Sequence, residues 1–150
     1  MKVILALDLG AKTGWACRCS DGSTLKGLYT HKQSRFEGGG IRYVHFQSFL
    51  EQCHPRPDCV YFEAVRAHAG VDAAHAYGGY LATLMSWCER HCIPYEGVGV
   101  GTIKKHATGK GNASKADMID AMIRQGYFPK DDNEADALAL LLYVIDQKDA

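Results

Sequence analysis

The sequence predicts an α/β domain in which a mixed five-stranded sheet is flanked by helices. Three strand-like segments come first, and the second and third are joined by an Asp21-Gly22 pair that is typical of a tight hairpin turn. Two later strand-like segments alternate with helical patterns. Antiparallel and parallel strands should therefore share one sheet. The predicted strands are 3–7, 14–19, 24–31, 59–65 and 95–100.

Helical patterns fill most of the remaining chain. The longest begins near Asp72, which can cap its first turn, and is dense in alanine and glycine. A glycine inside a helix costs roughly 1 kcal/mol relative to alanine. Gly78 and Gly79 therefore predict the close approach of another backbone, either within the domain or from a second subunit. The predicted helices are 41–53, 72–91, a short helix or turn over 101–108, a helix that follows a Ser114 capping box and ends at Gly126, and 132–147.

Composition and charge indicate a single globular domain. The chain has 150 residues, of which 47% are hydrophobic and 23% charged, and these are ordinary values for a folded domain. No run approaches the ~20 consecutive apolar residues that span a membrane, and the first residues resemble a core strand rather than a signal peptide. The net charge is zero, but residues 100–116 contain four lysines and no acid, while 131–150 contain six acids and one lysine. This uneven distribution predicts a localised site.

The six cysteines leave two interpretations open. An even number is compatible with disulfides, but a core-rich chain of this length does not need them. Cys17 and Cys19 form a C-x-C pair, and Cys88 and Cys92 lie one helical turn apart with His91 between them, yet neither spacing matches a zinc finger or ribbon. We therefore expect reduced, mostly buried thiols rather than a zinc site.

Three carboxylates stand where carboxylates are unfavourable. Asp8 closes an apolar strand, Glu63 interrupts another, and Asp136 lies in the first turn of an apolar helix. A buried carboxylate is costly unless it is paired or binds a cation. Each could be structural alone, but together they suit Mg²⁺, which prefers oxygen ligands. If the two strands are neighbours, the backbones at Asp8 and Glu63 lie about 4.8 Å apart, close enough to share an ion.

The start of the last helix offers further oxygen ligands. Asp132 and Asn133 precede Asp136 by four and three residues and therefore share its face, whereas Glu134 points elsewhere. The same residues could instead be helix caps, because acidic and amide side chains are common at helix N-termini.

A lysine-rich segment, I-K-K-H-A-T-G-K-G-N-A-S-K at 103–115, is the second chemical signal. Alone it would fit a solvated surface loop. Beside metal-binding carboxylates, however, lysines suit phosphodiester hydrolysis, because they offset charge on the phosphate in the transition state.

Four motifs together resemble a known family. They are A-L-D-L-G-x-K-T-G-W-A at 6–16, Y-F-E-A-V at 61–65, the lysine segment at 103–115 and N-E-A-D-A-L-A-L at 133–140. The chain resembles the RuvC-type Holliday junction resolvases of the RNase H-like superfamily, and most of all the small resolvases of phages and prophages. The resemblance covers essentially the whole chain, which implies one RNase H-like, RuvC-like nuclease domain over 1–150.

The resemblance implies a metal-dependent endonuclease that resolves four-way DNA junctions by paired phosphodiester hydrolysis. It implies Mg²⁺ or Mn²⁺, with two ions in each active site, and a homodimer packed through the helix at 72–91. We expect such an enzyme in the bacterial cytoplasm, encoded by a phage or its host. The implied catalytic residues are Asp8, Glu63, Asn133, Asp136, Lys104 and Lys115. The implied metal ligands are Asp8, Glu63, Asn133 and Asp136, with Asp132 as the accessory, and the expected DNA-binding residues are Arg66, Lys105 and Lys110.

The sequence departs from the family pattern at two positions. The first acid of the final D-x-x-D pair is Asn133, a weaker ligand, for which Asp132 could substitute. In bacterial members, the position three residues after the glutamate carries an aromatic side chain, and this side chain opens the junction centre. Here that position is Arg66, with His68 two residues later. We expect Arg66 to bind a phosphate or stack on a base instead.

Three other functions remain open at this stage. The D-L-G-x-K-T-G motif also resembles the phosphate loop of the actin and sugar-kinase ATPases, but those enclose a nucleotide between two such domains. A related nuclease could act on forks, flaps or RNA–DNA hybrids, because the metal chemistry is shared. A non-catalytic dimer that binds junctions would use the lysines and arginines without needing Glu63 and Asp136 together.

Overall fold

The computed structural model describes residues 1–147. Within them the chain forms five strands, β1 (Ile4–Asp8), β2 (Lys12–Arg18), β3 (Thr24–Thr30), β4 (Cys59–Ala64) and β5 (Tyr95–Gly99). They make one sheet with the order β3-β2-β1-β4-β5. The neighbours among β1, β2 and β3 are antiparallel, whereas β4 and β5 run parallel to β1. The mixed sheet predicted from the sequence is therefore confirmed.

Helices cover both faces of the sheet. They are α1 (Ile41–Glu51), α2 (Val71–Arg90), α3 (Val100–Thr108), α4 (Lys115–Arg124) and α5 (Asp132–Gln147). On one face α1 and α2 pack over a core that contains Trp87 and Tyr80, and on the other α3, α4 and α5 surround a core rich in leucine and alanine. None of these helices is both long and apolar enough to cross a membrane within the described part of the chain.

Side-chain alternation decides which face receives the carboxylates. In β1, Leu5 and Leu7 join the core beneath α1 and α2, while Ile4 and Ala6 join the core beneath α5. Because successive side chains of a strand point to opposite faces, Asp8 follows Ile4 and Ala6 onto the α5 face.

Several local predictions hold, and the turn at Asp21-Gly22 is one of them. Gly22 has a φ of 87°, a conformation that glycine adopts without strain. The backbone N–H of Cys19 donates to the carbonyl of Ser23 at 2.8 Å and closes the turn. The Ser114 capping box is also present, since Ser114 and Asp117 exchange hydrogen bonds of 3.0 and 3.1 Å.

The long helix differs from its prediction in two respects. Its N-cap is Gly70, which has no side chain to offer, and Asp72 lies inside the first turn instead of capping it. Gly79 makes room for the aromatic ring of Tyr43 on α1 rather than for another backbone, because a Cβ there would overlap that ring. Gly78 lies on the open side, where a Cβ would meet nothing within 4 Å.

Candidate metal centre

Three carboxylates that lie far apart in the sequence meet at one end of the sheet. Leu7 pairs with Phe62 in the parallel β1–β4 ladder, so that Asp8 and Glu63 are the next residues along neighbouring strands. Asp136 comes from the α5 helix that packs over the same face. One carboxylate oxygen of each of Asp8, Glu63 and Asp136 lies within 4.8 Å of the others. Among residues 1–147 this is the one group of three or more His, Cys, Asp or Glu side chains close enough to share an ion.

The electrostatics of the cluster are those of a cation site. Burial, then the charge and hydrogen bond of Glu63, then the charges of Asp136 and Asp132, raise the pKa of Asp8 to about 10. Burial, followed by the charges of Glu63 and Asp132, raises the pKa of Asp136 to about 7, against the opposing effect of Lys104 and Lys115. Carboxylates this close repel one another when ionised.

The donor set fits a hard divalent cation. The three side chains offer only carboxylate oxygens, which Mg²⁺ and Mn²⁺ prefer, and no sulfur or imidazole lies in the group. Burial and then mutual repulsion raise the pKa of Asp8 and of Asp136, and a bound cation would offset the repulsion.

The first turn of α5 is held by a cap that the sequence reasoning missed. Asp131 accepts a hydrogen bond from the backbone N–H of Glu134 at 2.9 Å, as an N-cap residue does. The signal was present in the sequence as an aspartate three residues before a glutamate. Asp132 faces the cluster, since its charge raises the pKa of both Asp8 and Asp136. The side-chain amide of Asn133 instead lies 3.5 Å from the carboxylate of Asp131.

Contacts with the strands fix where α5 begins. A Cβ on Gly14 of β2 would overlap the backbone of Asn133, so that only glycine permits this approach. Glu134 points away from the cluster, as predicted, and is completely buried. It forms an ion pair with Lys26 of β3, and Lys26 also donates to the carbonyl of Phe128 at 3.1 Å. These contacts set the position from which α5 presents Asp132 and Asp136.

Two of the four lysines of segment 103–115, Lys104 and Lys115, border the same cluster. Lys104 is partly buried on α3, and Lys115 is exposed at the start of α4, with its Nζ 3.5 Å from a carboxylate oxygen of Asp132. Lys105 and Lys110 are exposed, on the last turn of α3 and in the loop after it.

A groove opens beside Glu63. It has a volume of about 600 Å³ and runs between the ends of β4 and β5, with the exposed Arg66 on one side and Gly99 on the other. Tyr77 of α2 holds the end of β4, because its hydroxyl donates to the carbonyl of Glu63 at 2.7 Å and accepts from the N–H of Val65 at 3.2 Å. No sequence pattern had pointed to Tyr77.

The cysteines do not contribute to the site. None of the six forms a disulfide, and they are less buried than predicted: Cys88 is buried, Cys92 is exposed, and the other four are partly buried. Burial raises the pKa of Cys88 to about 12, so that it is an unreactive core side chain.

Comparison of the structure with solved structures identifies proteins that share this fold. No family model matches the chain, and no curated protein sequence is detectably similar to it. Among solved structures, T. thermophilus RuvC in complex with a Holliday junction substrate is similar with a TM-score of 0.78 and 23% identity, over 95% of this chain and 92% of that one. Another structure of Thermus thermophilus RuvC is similar with a TM-score of 0.75 and 23% identity, over 93% of this chain and 91% of that one. The yeast mitochondrial Holliday junction resolvase Ydc2 is similar with a TM-score of 0.60 and 12% identity, over 91% of this chain and 74% of that one. The protein therefore has the RNase H-like fold of these resolvases, as the sequence predicted.

Proposed function

We propose that the protein is a metal-dependent endonuclease that resolves four-way DNA junctions. The observation that carries the proposal is the convergence of Asp8, Glu63 and Asp136 within 4.8 Å, bordered by lysines, at one end of this sheet. Hard oxygen ligands beside cationic side chains suit the hydrolysis of a phosphodiester. The structural neighbours include RuvC with a Holliday junction substrate, which supports branched DNA as the substrate of this chain too.

The carboxylates are the ligands that would hold the cations. We propose two Mg²⁺ or Mn²⁺ ions held by Asp8, Glu63 and Asp136, with Asp132 as the accessory ligand because its charge already acts on the cluster. Asn133 remains the ligand predicted from the resemblance. Divalent cations bound there would stabilise the charge that develops on the phosphate and the leaving oxygen.

The lysines are placed to contact the phosphate backbone. Lys104 and Lys115 lie close enough to oppose the rise in the pKa of Asp136, which supports a role for both at the phosphate that is cut. Arg66 lines the groove beside Glu63, where the cleaved strand would lie. Lys105 and Lys110 extend the cationic surface outward and would bind flanking phosphates.

Paired cleavage of a junction needs two active sites, and we propose that α2 forms a homodimer interface. The most exposed positions of α2 follow helical spacing, and Val71, Gly78 and Ala82 lie along that line. Val71 is 69% exposed, and nothing approaches Gly78. Light scattering should give the mass of a dimer, and Ala82→Arg should give a monomer with an unchanged circular dichroism spectrum. A monomeric unsubstituted protein would contradict the interface.

The decisive experiment compares substrates and metal ions. The protein is incubated with one of four labelled substrates, in EDTA, Mg²⁺ or Mn²⁺. The substrates are a four-way junction, a fork, an RNA–DNA hybrid and a continuous duplex. We expect cleavage of the junction at two opposed strands, only with a divalent cation. Glu63→Gln should lose more than about 100-fold in rate while it still binds the junction, whereas Asp120→Asn, on the exposed side of α4, should cut normally.

The outcomes separate the remaining candidates. Preferred cleavage of a fork or hybrid would identify a related nuclease with another substrate. Binding of the junction that is unchanged in EDTA, with no cleavage after Mg²⁺ or Mn²⁺ is added, would identify an architectural protein. An enzyme of this kind would act in the bacterial cytoplasm, and an origin in a phage genome remains a prediction from the sequence.

A further inference from the structure

The segment 31–40 leaves the sheet at the edge where the carboxylates lie. Thr30, the last residue of β3, pairs with Lys12, the first residue of β2, and the N–H of His31 donates to the carbonyl of Ala11 at 2.8 Å. Ala11 belongs to the short turn that follows Asp8. Asp8 pairs with Gly14, and Gly14 pairs with Leu28 of β3, so that Leu28 lies about 10 Å from Asp8 across the sheet. His31 follows three residues, or about 10 Å, further along the strand direction, which places the base of the segment about 14 Å from Asp8.

Hydrogen bonds hold this segment in a defined conformation. The amide of Gln33 donates to the carbonyls of Glu37 and Gly38, both at 3.2 Å. The backbone N–H of Ser34 donates to the carboxylate of Glu37 at 3.3 Å, and the hydroxyl of Ser34 accepts from the N–H of Phe36 at 3.2 Å. A loop that is already ordered loses little conformational freedom when it binds a partner.

The loop presents an aromatic side chain to solvent. Phe36 is 85% exposed, more than any other large hydrophobic side chain in residues 1–147. The guanidinium of Arg35 lies 4.8 Å from the centroid of its ring, and Lys32 is exposed four residues before it. The acid of the segment, Glu37, is turned back toward His31 at 3.7 Å. The outer surface of the loop is therefore aromatic and cationic, a combination that suits a nucleobase next to its phosphate rather than an apolar protein partner.

We propose that Phe36, with Arg35, stacks on an unpaired base of the DNA substrate near the point of cleavage. This inference rests on the proposed function. The distance of about 14 Å between the base of the loop and Asp8 corresponds to about four base steps of 3.4 Å along a strand. The strands change partners at a branch point, so that the base stack is interrupted there and a base pair opens at a lower cost than inside a continuous duplex. Phe36 thus favours branched over continuous DNA.

Substitutions at Phe36 test the proposal without disturbing the fold, because its side chain makes so little contact with the protein. Phe36→Leu keeps an apolar side chain but removes the aromatic face, and Phe36→Trp keeps that face. The matched control is Phe128→Leu, since Phe128 is 75% exposed and no cation lies over its ring among the described residues. Affinity for a four-way junction and for a duplex of the same sequence is measured by fluorescence anisotropy in EDTA, and 2-aminopurine at the branch reports stacking.

We expect Phe36→Leu to weaken junction binding by about 5- to 100-fold and to leave duplex binding unchanged. Phe36→Trp should restore the affinity and the quenching of 2-aminopurine, and Phe128→Leu should match the unsubstituted protein. Unchanged junction affinity in Phe36→Leu, or an equal loss on junction and duplex, would overturn the inference. Cleavage by the unsubstituted protein is scored separately in Mg²⁺, so that failure of the proposed nuclease activity is distinguishable from failure of the stacking role.

Discussion

Asp8→Asn replaces a titratable carboxyl group of the cluster with an amide of similar shape and should change how stability depends on pH when no metal is bound. The cluster oxygens lie within 4.8 Å of one another. Two full negative charges at that separation repel by about 3.5 kcal/mol at an effective dielectric constant near 20. Burial, with this repulsion added to it, raises the pKa of Asp8 from 3.8 to about 10.

The sign of the effect follows from proton binding. Between about pH 4 and pH 10 the folded protein keeps Asp8 protonated while the unfolded chain has lost that proton. The free energy of unfolding therefore falls by about 1.4 kcal/mol for each pH unit of increase. Asp136, with a pKa of about 7, adds to the fall below pH 7. Asparagine does not titrate, so from pH 5 to pH 7 the unsubstituted protein should lose about 3 kcal/mol more than Asp8→Asn.

Urea denaturation in EDTA at pH 5, 6 and 7 measures this difference, with Asp120→Asn as the control. Mg²⁺ at 100 times its Kd should then stabilise the unsubstituted protein by about 2.7 kcal/mol at pH 7. Asp8→Asn should gain much less from Mg²⁺, because it lacks one ligand. Equal pH slopes for the two proteins would refute the reasoning and, with it, the repulsion among the three carboxylates.

Three further substitutions test how the site is held and how it binds DNA. Lys26→Met should lower the free energy of unfolding by about 3 kcal/mol, because it leaves Glu134 buried without its partner. Thermal denaturation measures this change. A smaller loss of stability in Lys26→Met than in Glu134→Gln would contradict the reasoning. Gly14→Ala should push the first turn of α5 outward and cost about 1–3 kcal/mol in urea denaturation. Gly39→Ala is its control, since nothing lies within 4 Å there, and equal stability of the two would be evidence against the clash. Lys104→Ala should weaken binding to junction and duplex alike and lower the slope of log affinity against log salt by about one, and an unchanged slope would exclude a phosphate contact.

The parts of the fold that could be predicted from the sequence are those with a local signal. The Asp21-Gly22 turn depends on adjacent residues, and the apolar run before Asp8 already indicates a strand buried on both faces. Glu63 could be singled out because a carboxylate in an apolar strand is costly whatever the tertiary structure.

The remaining features depend on partners that are distant in the sequence. Nothing near Lys26 indicates that it pairs with Glu134, 108 residues away. Gly79 could be recognised as a site of close approach. The approaching group, the ring of Tyr43, could not be, because its position depends on how α1 packs against α2. The exposure of Phe36 likewise follows from the loop's own hydrogen bonds and not from any periodic pattern.

The dispersed origin of the three carboxylates has a consequence for synthesis of the protein. Asp8 and Glu63 leave the ribosome well before α5, which carries Asp136. A nascent chain therefore already contains the two strands that carry Asp8 and Glu63, but it lacks Asp136 until α5 packs across β1 and β2. If the protein cuts DNA as proposed, it cannot do so before α5 has docked, because Asp136 comes from that helix.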